Sequence, residues 1–167
     1  AAIGERVLII DLDPQGNAST GLGIDNRNRD RSTYDVLTNQ ATLRESILTT
    51  SVPRLHIAPS TLDLAGLELE ISSARDRAVR LRNALATLNQ NAPSGSDYTY
   101  VLVDCPPSLN LLTVNAMAAS DAVLVPLQCE FFALEGLSQL LKTVEQVKEA
   151  LNPQLNAVIH RLDDKAL

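Results

Sequence analysis

The sequence has no tryptophan and only two phenylalanines and three tyrosines, an aromatic content of 3%. Proteins that bind single-stranded nucleic acid stack bases on aromatic side chains, so this composition argues against a stacking surface. Cysteine is scarce as well: Cys105 and Cys129 are too few for a disulfide framework and lack the spacing of a metal site. The two thiols are typical of small buried residues in a reducing compartment.

Long apolar runs and an excess of positive charge are also missing. No apolar stretch reaches about 18 residues and no charged-then-apolar leader opens the chain, so the sequence predicts neither a membrane span nor an export signal. The net charge of −6 argues against a protein that coats nucleic acid through its overall field. The hydrophobic content of 45% over 167 residues is enough to bury one core, which favours a single domain.

Apolar runs alternate with helical patterns along the chain. Because the runs are continuous in Val, Ile and Leu, they predict an α/β fold with a mostly parallel sheet, covered by helices on both faces. The opening "AAIGERV" is typical of the last turn of a helix followed by a strand, and the chain stops soon after its last predicted strand, so the fold is expected to be incomplete at both ends. Three of the runs are predicted to be neighbouring parallel strands with their carboxyl ends on one edge: Val7–Ile10, Tyr100–Val103 and Ala122–Val125. Two further strands are predicted at Leu55–Ala58 and at Asn156–Ile159.

Two helical segments have distinct signals. The later one carries apolar residues at three- and four-residue spacing from Leu137 to Leu151, which predicts an amphipathic helix. The earlier one is predicted to begin at Ser60, with Asp63 at the N3 position of a loose capping box. Its apolar face is predicted to include Leu62 and Leu69.

Acidic residues follow two of the predicted strands. Asp11 and Asp13 follow the first, and Asp104 ends the strand in "VLVDCPPS". Ligands bind at the carboxyl ends of strands in an open parallel sheet, and an apolar strand ending in Asp is the general form of a Walker B element, whose carboxylate holds Mg²⁺. A strand-terminal Asp can also simply cap the next helix, and for Asp104 alone both interpretations stand. Two acidic strand ends, each followed by proline and small polar residues, favour a metal–phosphate site.

Three segments resemble the ParA/Soj partition ATPases of the deviant-Walker (MinD/ParA) group of P-loop NTPases: "RVLIIDLDPQGNASTGLG", "APSTLDLAGLELEI" and "YVLVDCPPSLNLLTVNAMAASDAVLVPLQCEFFALEGLSQLL". The resemblance covers about residues 1–155 and rests mainly on the long, distinctive stretches "DLDPQGN" and "PLQCEFFALEGL". Residues 1–167 are therefore predicted to form a single α/β ATPase-like domain, an interior portion of a larger one. Nothing after about residue 155 matches the family.

The resemblance implies a P-loop NTPase fold and an ATP-dependent dimeric switch that acts in chromosome or plasmid segregation. The implied cofactors are ATP and Mg²⁺. The implied partners are a ParB-type protein that stimulates hydrolysis, nonspecific nucleoid DNA and a second copy of the chain, without a membrane. The implied location is the cytoplasm, in association with the nucleoid.

The same resemblance implies roles for individual residues. Asp13 matches the catalytic residue that orients the attacking water. Asp11 would lie nearer the metal and the phosphate-binding lysines, and is implied to take part in cofactor and metal binding. Asp104 matches the Walker B acid that holds Mg²⁺, usually through water. Pro107 and Ser108 match the second switch, which follows the γ-phosphate.

The family's phosphate-binding loop, of the form K-G-G-x-G-K-T, is expected one helix upstream of Ala1 and is absent from the sequence. The 167 residues by themselves are therefore expected to be inactive. Two alternatives stay open. One is a nucleotide-free remnant that acts as a protein-interaction module. The other is a MinD-like ATPase, which would need a basic amphipathic helix at its C-terminus that the sequence does not show.

Two polar features have competing interpretations. The run "RNRDR", residues 27–31, is interpreted as a solvated loop, with contact to a phosphate backbone as the alternative. Asn110 and Asn115 are interpreted as polar residues of a helix face, with a place on the switch or dimer surface as the alternative.

Overall fold

The computed structural model describes residue 1 and residues 4–90, 98–127 and 133–161. Its strands are β1 (Val7–Asp11), β2 (Leu48–Thr49), β3 (Leu55–Ala58), β4 (Tyr100–Asp104), β5 (Ala122–Leu127) and β6 (Asn156–Arg161). Its α-helices are α1 (Asn17–Gly21), α2 (Thr33–Leu37), α3 (Leu43–Ser46), α4 (Leu67–Glu70), α5 (Arg80–Gln90), α6 (Leu111–Ala119) and α7 (Ala133–Ala150). Short 3-10 helices lie at Asn26–Asn28 and Leu62–Gly66. None of the helices in these ranges is long and apolar enough to cross a membrane.

The main sheet has four strands in the order β2-β3-β1-β4. Strand β1 pairs in parallel with both β3 and β4, while the two-residue β2 runs antiparallel to β3. Leu8 and Ile10 of β1 are fully buried, as expected for a central strand with helices on both faces. The predicted mostly parallel α/β sheet is confirmed, and so is the strand at Leu55–Ala58.

Strand β5 does not lie beside β4 in the main sheet, so the prediction of three neighbouring strands is wrong for Ala122–Val125. It pairs in parallel with β6 in a separate two-stranded sheet, which confirms the predicted strand near Asn156. Side-chain packing holds this pair, because Val123 lies against a cluster of buried residues from α6 and α7. Among the described strands, β4 pairs only with β1, and its Tyr100 and Leu102 are each 56% exposed.

The main core lies between β1 and the helices that cover the sheet. It combines buried residues from β1, β3, α2, α4, α5 and α6. A second, smaller cluster joins α6 to α7, where Val144 and Val147 are buried and Leu140 and Leu151 pack against them. The predicted apolar stripe of α7 is thereby confirmed.

The segment after β3 is not one long helix beginning at Ser60. It forms the 3-10 helix, then the four-residue α4, then turns, and α5 starts only at Arg80. The predicted apolar face is wrong at Leu62 and Leu69, which are 70% and 84% exposed. Leu64 and Leu67 are buried instead, because their three-residue spacing places them on one face of the two consecutive short helices.

Candidate functional site

The acidic ends of β1 and β4 meet at one edge of the main sheet. Asp11 and Asp104 are register partners across the two parallel strands, and the Leu12 N–H donates to the Asp104 carbonyl over 2.8 Å. Asp13 follows two residues after Asp11 at the same edge. The prediction that Asp13 and Asp104 share an edge is confirmed, because parallel pairing brings both carboxyl ends together.

Asp11 is fully buried and holds the loop that follows it. Its Oδ2 accepts hydrogen bonds from the Ser19 backbone N–H at 2.8 Å and from the Ser19 hydroxyl at 2.6 Å. Its Oδ1 accepts from the Asp13 N–H at 3.1 Å. Three donors therefore satisfy a carboxylate that would otherwise be costly to bury, and they fold residues 12–19 back over the end of β1.

Asp13 lies half-buried at the start of this loop. Its Oδ1 accepts from the Gln15 N–H at 2.9 Å, and its backbone carbonyl accepts from the Gly16 N–H at 2.9 Å and from the Ser60 hydroxyl at 2.7 Å. Gly16 has a φ of +64°, the left-handed region that favours glycine, and this turn leads the chain into α1. Ser60 therefore binds the loop and does not cap a helix, which corrects the predicted capping box.

Asp104 lies at the exposed end of β4. Partial burial raises the pKa of its carboxyl above the ordinary value, and the negative charges of Asp11 and Asp13 raise it further. The ionised site therefore carries mutual repulsion among three carboxylates. A cation placed at this edge would relieve that repulsion, so the electrostatics favour a positively charged ligand.

The donor set suits Mg²⁺ only in part. Within the described ranges, no three His, Cys, Asp or Glu side chains come together in an arrangement that could hold a metal by themselves. Mg²⁺ keeps several waters and is commonly bound through one or two carboxylates plus substrate phosphates. An exposed carboxylate such as Asp104 fits that requirement, and the remaining ligands would be water and phosphate oxygens. Asp11, whose carboxylate oxygens already accept from three donors, would support the site without binding the metal directly.

The second predicted switch follows β4 directly. Pro107 and Ser108 are exposed, and the segment is held from behind because the Ser108 carbonyl accepts from the Thr113 hydroxyl at 2.6 Å. Asn110 caps α6, since its Oδ1 accepts from the Leu112 and Thr113 N–H groups at 3.0 and 3.3 Å. The loop is therefore fixed at its end and open to solvent at Pro107 and Ser108.

The two loops face each other across a small cleft of about 60 Å³, lined by Pro14 from the first loop and by Asn110 from the second. Leu64 and Glu68 also line this cleft. A larger groove of about 550 Å³ runs between α3 and α5, and the aspartates of the sheet edge are not among the residues that line it. The larger groove is therefore separate from the sheet edge at which the three aspartates meet.

Cys105, which directly follows Asp104, is a half-buried free thiol. Burial raises the pKa of the Cys105 thiol to about 12, and the nearby charges of Asp104 and Asp13 contribute. The thiol stays protonated at neutral pH, which suits a packing role. Cys129 lies outside the described residues, as does the whole of 128–132 in the stretch "PLQCEFFALEGL".

Sequence reasoning missed three residues that build the site: Ser19, Ser60 and Arg29. Ser19 and Ser60 are both fully buried, and the Ser60 N–H donates to the Ser19 hydroxyl oxygen at 3.2 Å. Arg29, the middle arginine of "RNRDR", is only 8% exposed, so the interpretation of the run as a solvated loop is wrong there. Small polar residues and an arginine in a loop carry no periodic signal, and only the tertiary contacts reveal them.

Asn115 also differs from its interpretation as a helix-face residue. It is fully buried, and its Nδ2 donates to the carbonyls of Arg77 and Leu111 at 2.7 and 3.0 Å. Its Oδ1 accepts from the Leu81 N–H at 3.2 Å. The side chain ties α6 to the start of α5.

Comparison with known proteins defines the class of the chain. Residues 1–157 match the AAA domain family, and the chain therefore belongs to that family. A solved structure described as cobyrinic acid a,c-diamide synthase from Mycobacterium smegmatis, with bound ATP analogue and magnesium, superposes with a TM-score of 0.87 at 35% identity. The match covers 99% of this chain and 64% of that one, which confirms the P-loop NTPase-like fold.

Two curated relatives narrow the class. The chromosome partitioning protein ParA of Caulobacter vibrioides strain NA1000 is 56% identical over 155 residues, which are 93% of this chain and 57% of that protein. The sporulation initiation inhibitor protein Soj of Bacillus subtilis strain 168 is 49% identical over 93% of this chain and 59% of its own length. Within the AAA domain family the chain is a ParA/Soj-type protein, and it spans less than two thirds of these relatives.

Proposed function

We propose that this chain is the switch-bearing part of a ParA-type partition ATPase. The observation that carries the proposal is the meeting of Asp11, Asp13 and Asp104 at the carboxyl edge of β1 and β4, in a chain 56% identical to a chromosome partitioning protein. The full-length protein hydrolyses ATP with Mg²⁺ as a homodimer in the cytoplasm and binds nucleoid DNA without sequence preference in its ATP state. A ParB-type protein stimulates the hydrolysis. Residues 1–167 belong to one α/β domain.

The environments of the aspartates suit distinct roles. Asp13 is half-buried and has its backbone held by Ser60 and Gly16, so its carboxylate is positioned to orient an attacking water. Asp104 is exposed at the strand end and holds Mg²⁺ through water. Asp11 supports Asp13, because its carboxylate fixes the loop that carries Asp13, and it would add negative charge near a bound metal. When bound, Mg²⁺ neutralises charge on the transferring phosphoryl group.

The second loop suits a role in sensing the γ-phosphate. Pro107 and Ser108 are exposed beside the carboxylates, while the Ser108 carbonyl and Asn110 anchor the loop to α6. A loop that is fixed at one end and open in the middle can change shape with the ligand and pass the change to the helix. The outer edge of β4 is unpaired among the described strands, with Tyr100 and Leu102 exposed, and suits pairing with a further strand.

Turnover by the full-length protein tests the proposal. Purified protein should hydrolyse ATP slowly in Mg²⁺, faster with nonspecific DNA and a ParB-type partner, and not at all in EDTA. Cosedimentation with DNA should require ATP and be lost with ADP. A protein that neither binds nor hydrolyses ATP would instead be a nucleotide-free interaction module, and the proposed function would be wrong.

A further inference from the structure

Arg29 is a buried cation that has no carboxylate partner among the residues that the structure describes. Its Nη1 donates to the Ser60 carbonyl at 3.0 Å, and its Nη2 donates to the Thr20 hydroxyl and to the Ile24 carbonyl, both at 2.9 Å. Within the described ranges, no acidic side chain forms an ion pair with it and its Nε has no hydrogen-bond partner. Burying a guanidinium on neutral acceptors alone is costly, so the fold gains something else from its placement.

The guanidinium lies directly against the first switch loop. A Cβ at Gly16 would collide with Nη1 of Arg29 and would lie 3.2 Å from the Ser60 Oγ. The Thr20 hydroxyl that accepts from Arg29 itself donates to the Gly16 carbonyl at 2.9 Å. Arg29 therefore contacts Gly16 directly and is also linked to it through Thr20. These contacts restrict the backbone of the loop to one conformation.

Hydrogen bonds link the same guanidinium to Asp13 through Ser60, and to Asp11 through Ser60 and Ser19. Ser60, whose carbonyl accepts from Arg29, donates its hydroxyl to the Asp13 carbonyl at 2.7 Å. The Ser60 N–H donates to the Ser19 hydroxyl oxygen, and that hydroxyl donates to Asp11. Ser60 is thus the junction through which Arg29 holds the loop at both ends.

We propose that Arg29 is a positioning residue for Asp13. It binds Ser60, Thr20 and Ile24, packs on Gly16, and so keeps residues 12–17 in the conformation that places the Asp13 carboxylate at the shared edge of β1 and β4. This inference rests on the proposed ATPase function. It also has a consequence that is independent of ATP: without Arg29 the loop loses its backing and its amides open more often.

The test compares Arg29→Met with Arg80→Met in the full-length protein. Arg80 is a matched control, because its side chain is 10% exposed and binds the Leu37 carbonyl and Asp76, away from the site. Both variants should lose thermal stability. Arg29→Met should lower kcat for ATP about tenfold or more with little change in KM, while Arg80→Met should keep kcat within about twofold. Equal kcat values for the two variants would overturn the proposal.

Hydrogen exchange provides the readout that does not depend on activity. Arg29→Met should speed exchange of the Gly16 and Ser19 amides, which bond to Asp13 and Asp11, and Arg80→Met should leave them unchanged. Unchanged exchange in Arg29→Met refutes the positioning role. A wild-type protein without ATP turnover refutes the proposed function instead. If Arg29→Met does not fold, Ser60→Ala takes its place in the test. This variant should show the same faster amide exchange and a loss of kcat of roughly threefold or more. Wild-type values of both the exchange rate and kcat in Ser60→Ala refute the positioning role.

Discussion

At the scale of single residues, three aspartates share one sheet edge but differ in their surroundings. Asp11 is fully buried with three donors on its carboxylate, Asp13 is half-buried, and Asp104 is exposed. A buried and fully hydrogen-bonded carboxylate serves mainly to hold a shape, whereas an accessible one can meet a ligand. The three substitutions should therefore have different consequences.

Asp13→Ala in the full-length protein should leave ATP binding and dimerisation largely intact and lower turnover by a factor on the order of a hundred or more. A carboxylate that orients the water stabilises mainly the transition state, so its loss falls on kcat. Removing a negative charge beside the γ-phosphate can also tighten ATP binding. Titration of ATP affinity and measurement of steady-state turnover check this, and DNA cosedimentation should show the variant retained in its ATP state.

Asp104→Ala should behave differently, with weaker Mg²⁺-dependent ATP affinity and impaired nucleotide-dependent dimerisation. The reason is that, in the proposed role, this carboxylate would hold the metal, and a metal that binds substrate phosphates would contribute to ATP affinity as well as to turnover. Equal losses of affinity in the two variants, or a fully active Asp13→Ala protein, would mean that the two roles are wrongly assigned.

Asp104→Asn should raise the Tm of the protein in EDTA at pH 7, by an amount on the order of a degree for an exposed group. Its folded-state pKa is raised, so ionisation destabilises the fold at every pH above the unfolded pKa near 4. Stability that is present at low pH is lost as the pH rises through the folded pKa. The advantage of the Asn variant should vanish below about pH 4, where both side chains are neutral. Thermal melts across pH 3–8 measure it, and a constant advantage at all pH values would exclude charge as the cause.

At the scale of elements, α6 connects the second loop to α5. Asn110 caps its first turn, and the fully buried Asn115 bonds both to α5 and to the turn before it. These hydrogen bonds matter for stability because removal of the Asn115 side chain leaves buried backbone groups without hydrogen bonds.

Asn115→Ala in the full-length protein should therefore cost about 2–3 kcal/mol of unfolding free energy. Leu81 N–H and the Arg77 carbonyl would lose their partner inside the core. Urea denaturation followed by circular dichroism measures the loss. Asn83→Ala, an exposed position on α5, is the control and should change stability by less than about 0.5 kcal/mol. A similar loss in both variants would show that Asn115 is not the connection between the two helices.

At the scale of the whole molecule, the chain covers only part of the relatives that it matches. It spans 57% of the Caulobacter vibrioides relative, and no stretch of its sequence has the form of the family's phosphate-binding loop. The outer edge of β4 is unpaired among the described strands, and β5 pairs only with β6. Unpaired edges with apolar side chains such as Leu102 promote association between chains.

A polypeptide of residues 1–167 alone should show no change in Tm with saturating ATP and Mg²⁺, within about 1 °C. A ligand present at a hundred times its Kd adds about 2.7 kcal/mol to stability, which corresponds to a shift of several degrees. The full-length protein under the same conditions should show that shift. Differential scanning fluorimetry measures both, and a clear shift in the 167-residue chain would mean that it binds the nucleotide without a phosphate-binding loop.

The sequence by itself determined the class of fold and the edge of the sheet at which Asp11 and Asp104 meet. Continuous Val, Ile and Leu runs separated by helical patterns specify a parallel sheet, and parallel pairing must bring Asp11 and Asp104 to the same edge. The apolar stripe of α7 was equally predictable, because the three- and four-residue spacing places its apolar residues on one face of a helix, and that face is the one that is buried. These features depend on local periodicity, which the sequence carries directly.

The tertiary structure alone decided which partner each polar group has. Ser60 suited a helix cap, but its hydroxyl binds the Asp13 carbonyl 47 residues away in sequence. Arg29 was indistinguishable from its neighbours in "RNRDR", yet it alone of the run's arginines is buried, against Gly16. The sequence predicted that strand β5 lies beside β4, but β5 pairs with β6. Each outcome depends on which donor, acceptor or strand edge comes within reach after the chain has folded, and a pairing between distant residues leaves no periodic trace in the sequence.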